Sequence, residues 1–438
     1  MMKLVRKIWQ NRRGNVIMMM GAMLPLVIGC AGLATDTIQW TLWKRQLQRA
    51  ADSAAIAGVF QRVVTNTQTG VETAVCNDLA KNQKTGMALS GTYVTCADGT
   101  TRRGTVTLLS DSGSMTSQVQ VSLTVAQSLP FSSMFMTAVP NITATATAAT
   151  IPAGGDACVQ ALEPSASQTG ITNSGNTTIS APNCIMYSNS PSTNSASAGG
   201  SSSVTVKAIA AVGGISQSNN WAVQQYLPYS PALADPFANV TPDPNAMNCS
   251  AATLDQNTNI AAAISAGTNC WSSLSVGANK TVNMGSYAGP IYINGGGADL
   301  KGTFNCTGCT IVLTNKSSAT NATIGTLSSN AQASNNISAP TSGTFKGIAI
   351  YQDRRATGGT DKINGGSGSV ITGAVYFPGD TLWINGSGGA TALCAMWVAK
   401  DIVFTGNSGI TLNAMSDAAC ATSGEPSGGA VKVIRLVA

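Results

Sequence analysis

The residues able to do chemistry in this chain are few, and histidine is not among them. Its absence excludes Ser-His-Asp and Cys-His nucleophile pairs, imidazole general bases and histidine metal ligands. Carboxylates, lysines, arginines and eleven cysteines remain. Asp353-Arg354-Arg355, Asp361, Lys362 and Asp380 gather acids and bases in one stretch, where they could line one face. Glycoside hydrolysis needs two carboxylates at a set separation, and a lyase needs a base beside a cation or an arginine. The sequence shows no such pairing, and the same residues suit charged corners between strands. The expectation is therefore no enzyme activity, no catalytic residue, no cofactor and no metal.

Ten of the cysteines fall into neighbours along the chain: Cys76 and Cys96, Cys158 and Cys184, Cys249 and Cys270, Cys306 and Cys309, Cys394 and Cys420. An even set in this order reads as five local disulfides in an oxidising compartment, although order alone does not fix connectivity. Cys306-Thr307-Gly308-Cys309 also has redox spacing. It lacks a thioredoxin-like βαβ setting, and a zinc site would need further ligands that are not evident.

The elements that carry these residues begin with an anchor. Lys3, Arg6, Lys7, Arg12 and Arg13 lie in the first thirteen residues without an acid, and they account for five of the six net positive charges. From Ala153 onward, 11 basic residues face 12 acidic ones. No basic stripe is left to neutralise phosphates, so nucleic acid is not an expected partner. Gly14 to Thr35 carries no charge and, as a helix, is long enough to cross a bilayer core of about 30 Å. Pro25 is expected to kink it. The basic flank before it and Asp36 after it place the N-terminus in the cytoplasm and the bulk outside the inner membrane. Three rivals stay open: a buried core helix, a cleaved secretory signal, and a lipoprotein whose box is Val27-Ile28-Gly29-Cys30.

Helical pattern continues over 36–64. Trp40, Trp43, Leu47, Ala50, Ala54 and Ala57 recur at spacings of three and four, a seam that packs on strands or on another helix. Lys44, Arg45, Gln48 and Arg49 fall off that seam, toward solvent or headgroups.

Arg13-Gly14-Asn15-Val16, Leu24-Pro25, Gly32-Leu33-Ala34-Thr35-Asp36 and Leu47-Gln48-Arg49-Ala50-Ala51-Asp52-Ser53-Ala54-Ala55 together resemble the TadE/TadG-like proteins of Flp (tight adherence) pilus assembly, specifically a TadG-like N-terminal domain. The resemblance implies a single-span, pseudopilin-like accessory protein whose partners are the inner membrane and other Tad/Flp pilus proteins. It extends to Val119–Ala149, which looks like the paired strands of that module. Pilin processing joins a cleavage-point glycine to a glutamate at the fifth mature position. Here Met19 stands in that place, which favours an uncut anchor. Some family members carry an Asp-x-Ser-x-Ser metal motif. In Asp111-Ser112-Gly113-Ser114-Met115 the register fails, because Ser110 stands where the aspartate would be needed. A polar hairpin turn between Val106–Leu109 and Val119–Val125 explains it better.

From Ala153 the composition shifts to Gly, Ser, Asn and Thr. Val204–Val206, Ile291–Ile293, Ile311–Leu313, Ile348–Ile350, Val375–Phe377, Leu382–Ile384, Val398 and Ile402–Phe404 read as short strands, with one helix over Ala251–Ala266. Ile-Asn-Gly recurs at 293–295, 363–365 and 384–386, and Gly406-Asn407 is similar. Both residue types tolerate the left-handed backbone of sharp corners. Repeated strand and corner suggest a parallel β-helix, a β-solenoid whose turns bury apolar faces by stacking. An antiparallel β-sandwich is the alternative. Pro228–Pro244 reads as an extended connector or a strap. The stretches Cys158–Gly214, Ala234-Asp235-Pro236-Phe237 and Gly343–Asn413 resemble the C-terminal region of TadG-like proteins that lack the metal-binding domain.

The expected fold class is mainly β with an N-terminal transmembrane and stalk helix. The expected organisation is a cytoplasmic tail (1–13), a membrane helix (14–35), a pseudopilin-like α+β module (36–152) and an exported β-solenoid (153–438). The expected function is a membrane-anchored structural component of Flp pilus assembly. The alternative is an adhesin that grips a glycan or an abiotic surface through aromatics such as Trp221, Trp271, Tyr351 and Trp383. A polysaccharide-degrading β-helix enzyme ranks below both.

Overall fold

The computed structural model describes residues 12–82, 93–95, 101–126, 128–136, 138, 140–364, 369–386, 390–407, 409–413, 420 and 430–437. The expected cytoplasmic tail therefore lies almost wholly outside them. The chain is mainly β with one long N-terminal apolar helix, and it divides into two compact units. The first is Met1–Ile151 with Ile434–Ala438, and the second is Pro152–Val433. The final residues thus group with the first unit, a return that the local pattern around them does not signal.

In the first unit, helix α1 runs unbroken over Arg12–Thr65, with Pro25 inside it. Thr35, Thr37 and Thr41 donate their hydroxyls to carbonyls four residues earlier, which pairs these polar groups within the helix. The helix ends where Asn66 takes a positive φ of 47° and its N–H bonds Arg62 O at 2.9 Å. Helix α2 (Gln68–Asn82) follows after a two-residue turn, with the Thr67 hydroxyl accepting from Gly70 N.

The buried face of α1 is Leu47, Ala51, Ala54, Ala55 and Val59, packed with Val71, Val75 and Leu79 of α2. Trp43 and Ala50 flank it, whereas Trp40 is exposed. Small residues permit a close approach: a Cβ on Gly58 would meet Val119 Cγ1 at 2.9 Å. The sheet beneath is antiparallel. Strand Thr101–Leu108 pairs with Thr116–Ala126, which pairs with Asn141–Ala161 in the register Val119↔Ala148 to Ala126↔Asn141. Lys44 and Gln48 correct the expectation placed on them. They reach this sheet and donate to Thr143 O and Thr145 O at 2.6 and 3.0 Å. Their long stems let an off-seam position satisfy edge carbonyls.

In the second unit the strands pair in parallel, which the antiparallel sandwich alternative does not accommodate. From Cys270–Trp271 to Ser334–Ser338, each strand bonds the one three places further along the chain. Thr281–Asn283 pairs with Thr303–Thr307, and Gly289–Asn294 pairs with Cys309–Thr314. The expected helix over Ala251–Ala266 shrinks to α3 (Ile260–Ser265). Asp255 accepts from Asn257 N and the Thr258 hydroxyl in a tight turn, and the Asn259 side chain then caps the helix through Ala262 N.

Stack order departs from chain order. The strands of 157–227 form one series, and 253–412 forms another that ends by docking on the first: Trp397↔Val159, Ile402↔Ile171 and Ile410↔Ile179. Glycines make this join possible at one corner. Gly175 has φ +71°, and a Cβ there would meet Gly406 O at 2.8 Å; Gly200 repeats the contact on Gly175 O. Apolar side chains from both series share one core, including Ile171, Ile179, Ile291, Ile311, Phe377 and Phe404.

Candidate functional site

Two places concentrate polar chemistry on an apolar scaffold. The first lies on α1. Asp36, the first charge after the uncharged run, is buried and accepts Phe131 N at 2.9 Å together with the amide and hydroxyl of Ser132. Burial works against its charge, but these bonds from Ser132 and Phe131 outweigh it and hold the carboxyl below the usual range. One turn earlier, the Phe131 ring lies over Gly32, where a Cβ would stand 2.3 Å from the ring. From Met19 to Ile28 the helix is bare. Met19, Met20, Met23, Leu24, Leu26, Val27 and Ile28 are exposed, in a helix long and apolar enough to cross a membrane.

The second place is a corner of the parallel unit, where the strap over 228–252 crosses successive strands. The Tyr187 hydroxyl donates to Pro231 O, and Asn189 exchanges bonds with the Leu233 backbone. Arg354 pairs with Asp235 at 2.7 Å and donates to Phe237 O, with its guanidinium 5.2 Å from the Tyr376 ring. The Tyr376 hydroxyl also donates to Asp235, at 2.8 Å. Further along, Tyr351 donates to Val240 O at 2.8 Å and Lys316 to Met247 O at 2.9 Å. The strap is therefore tied along its length, and its own Phe237 is fully buried.

The sequence-selected acids lie inside rather than on the surface, with Asp361 and Asp380 brought together and Asp353 held by its own partners. Asp353 accepts from Thr314 and, at 2.7–3.0 Å, from the amide and guanidinium of Arg355. Burial opposes its charge, but Arg355 and Thr314 hold the carboxyl low. Arg355 also donates to the carbonyls of Asn315, Ser317 and Ala319, clamping that loop. Asp361 and Asp380, on adjacent strands, share Gln352 Nε2 at 3.5 and 2.8 Å. Burial first, and then Asp380, push Asp361 up to about 8. Lys362 points outward, away from both.

A further acid pair was not selected from the sequence. Glu163 and Asp401 meet where the last strands dock on the first. Burial and Glu163 raise Asp401 to about 7, against Lys400, whose ammonium lies 3.5 Å from Glu163. Glu163 Oε2 has the Lys400 ammonium as its ion partner, and Asp401 Oδ1 is buried without a hydrogen-bond partner. No local motif could have found this pair, because 238 positions separate its members.

Residues 14–62 match the Tad family model, "Putative Flp pilus-assembly TadE/G-like". This TadE/G-like segment lies within α1, from the bare apolar half to the Ala-rich buried face. Comparison with curated proteins and with solved structures returns no match. Two of the motif residues acquire a physical reason: Gly32 makes room for Phe131, and Asp36 caps the turn that carries it.

The structure joins Cys158 to Cys184, Cys249 to Cys270, Cys306 to Cys309, and Cys394 to Cys420. Cys76 is disulfide-bonded, Cys96 lies outside the described residues, and Cys30 is free on the exposed face of α1. Asp111 to Met115 forms a hairpin turn, with the Asp111 carboxylate accepting from Ser117 N. Of the aromatics named for surface binding, Trp221, Trp271 and Tyr351 are buried, and Trp383 is exposed.

Proposed function

We propose that this protein is a single-span accessory or structural component of Flp (tight adherence) pilus assembly, held in the bacterial inner membrane with its N-terminus cytoplasmic. The second unit is then an exported parallel β-helix, wound in two series and latched by its strap. One observation carries the reading: the TadE/G-like match falls on a helix that is bare and apolar from Met19 to Ile28 and whose second half is packed into a folded unit. A helix apolar all round and unburied is stable in lipid, not in water. Basic residues on one side and Asp36 on the other set the orientation. The acids at the corner serve the fold, since Asp353, Asp361 and Asp380 are buried and bound to neighbouring turns. Partners in this reading are the membrane and other pilus-assembly proteins.

The test is a chromosomal deletion in the native host, complemented by the full chain or by a chain lacking 14–35. The reading expects surface pili to be lost, restored by the full chain and not restored by the truncated one. Normal pili with lost attachment would overturn it in favour of an adhesin.

A further inference from the structure

The segment from Leu129 to Met136 is apolar, yet much of it faces outward. Met134, Phe135 and Met136 are 76%, 75% and 50% exposed. No charged residue occurs between Asp111 and Asp156, so nothing in this stretch opposes contact with an apolar medium. Isolated exposed apolar residues are ordinary, but three consecutive large ones mark an interaction surface.

Their place on α1 identifies the medium. Asp36 holds the turn through Phe131 and Ser132, and the Phe131 ring occupies the space that Gly32 leaves. Phe131 and Phe135 pack ring to ring at 5.2 Å. The loop is thus fixed at the end of the uncharged run, level with exposed Ile28, Leu33 and Ile38 of the helix. An apolar patch continuous with a bilayer-crossing helix lies where the interface begins.

We propose that residues 131–136 insert into the interfacial zone of the same bilayer that α1 crosses, as a second, non-spanning contact that sets the depth and rotation of the helix. This rests on the reading of α1 as a membrane anchor. The family glycine and aspartate on α1 then serve to seat a lipid-facing loop beside the span.

The test uses the full chain with Cys30→Ala, reconstituted in phosphatidylethanolamine–phosphatidylglycerol vesicles, with an environment-sensitive fluorophore on Leu26→Cys, Phe135→Cys or Ala251→Cys. Doxyl lipids serve as quenchers. Probes at 26 and 135 should lose severalfold more emission than the probe at 251. At 135 a doxyl group near the headgroup should quench more than one near the chain end. Quenching at 26 with none at 135 would overturn the inserted loop and leave the anchor standing. Quenching at neither would overturn the anchor itself. Cross-linking from 135 to a second protein chain in native membranes, with no lipid quenching, would assign the loop to a protein partner and overturn the proposal. Met134→Cys, equally exposed, repeats the measurement should the Phe135 variant misfold.

Discussion

The first unit buries Asp36 as a charge held by donors, whereas the second buries both kinds of carboxylate, Asp353 held low by Arg355 and others pushed up. In the first, Asp36 is ringed by donors from Phe131 and Ser132 and is held ionised. In the second, Asp361 and Asp401 each face another acid, Asp380 and Glu163, and burial raises both. A lone acid ringed by donors acts as a cap, whereas a buried acid that faces another acid is penalised for its charge twice, by burial and by its neighbour. Among the described residues, the parallel unit therefore carries a constraint that the antiparallel one lacks.

That difference gives the largest expected effect. A raised carboxyl binds more protons folded than unfolded, so its contribution is complete below the ordinary value near 3.8 and is lost as pH rises through about 7 for Asp401 and about 8 for Asp361. Each group contributes a slope of up to about 1.4 kcal/mol per pH unit in that interval. Asp36 runs the other way, and its contribution disappears only in acid. Denaturant titration between pH 4 and 8, followed by a near-ultraviolet probe of each unit, should show the second unit weakening as pH rises while the first holds. Asp361→Asn should flatten the second unit's slope. A slope unchanged in that variant would remove Asp361 as its source.

Packing gives the next effect. A Cβ on Gly325 would stand 1.9 Å from the carbonyl oxygen of Gly296, whereas a Cβ on Gly58 would meet only the end of Val119 at 2.9 Å. Backbone cannot yield as a methyl can, so we expect Gly325→Ala to lose about 3 kcal/mol and Gly58→Ala about 1 kcal/mol. Thermal scans should show each variant lowering a different transition. Equal losses, or one shared transition, would mean that the units do not fold separately.

The strap comes third. Arg354→Ala removes partners from Asp235 and Phe237 O and the cation from the Tyr376 ring, for about 2 kcal/mol. Limited proteolysis should then cut within 228–252 before any other part of the second unit. Protection equal to the parent chain would show that the remaining ties suffice.

How much of this was legible in the sequence follows from the range of each interaction. The helix over 36–64, the hairpin at Asp111–Met115 and the strands around Ile291, Ile311 and Val375 are written in residues that touch near neighbours, so period and turn chemistry found them. The strap was visible in its prolines. The docking of 397–412 onto 157–180 was not, because every turn presents the same alternation and nothing local says which turn meets which. The acid pairs stayed hidden for the same reason: Glu163 and Asp401 become neighbours only through that docking. Asp353, Asp361 and Asp380 were chosen for their chemical type, but type does not tell that burial would point them inward.

The smallest effect separates surface from corner within the second unit. Lys301 and Asp299 approach to 2.7 Å, as Arg355 and Asp353 do, yet their side chains are 53% and 41% exposed against 24% and 9%. Equal distance does not mean equal energy. The exposed pair is screened by water and loses side-chain entropy to hold its geometry, so Lys301→Ala should change stability by about 0.3 kcal/mol and by less in high salt. At the corner, Arg355→Ala leaves a buried carboxylate without its cation and frees three loop carbonyls, so its loss should exceed that of Lys301→Ala severalfold and persist in salt. Measuring both variants at low and high ionic strength makes the contrast direct. Losses that shrank alike with salt would show that the corner is wet, and the buried-acid account of the second unit would fail with it.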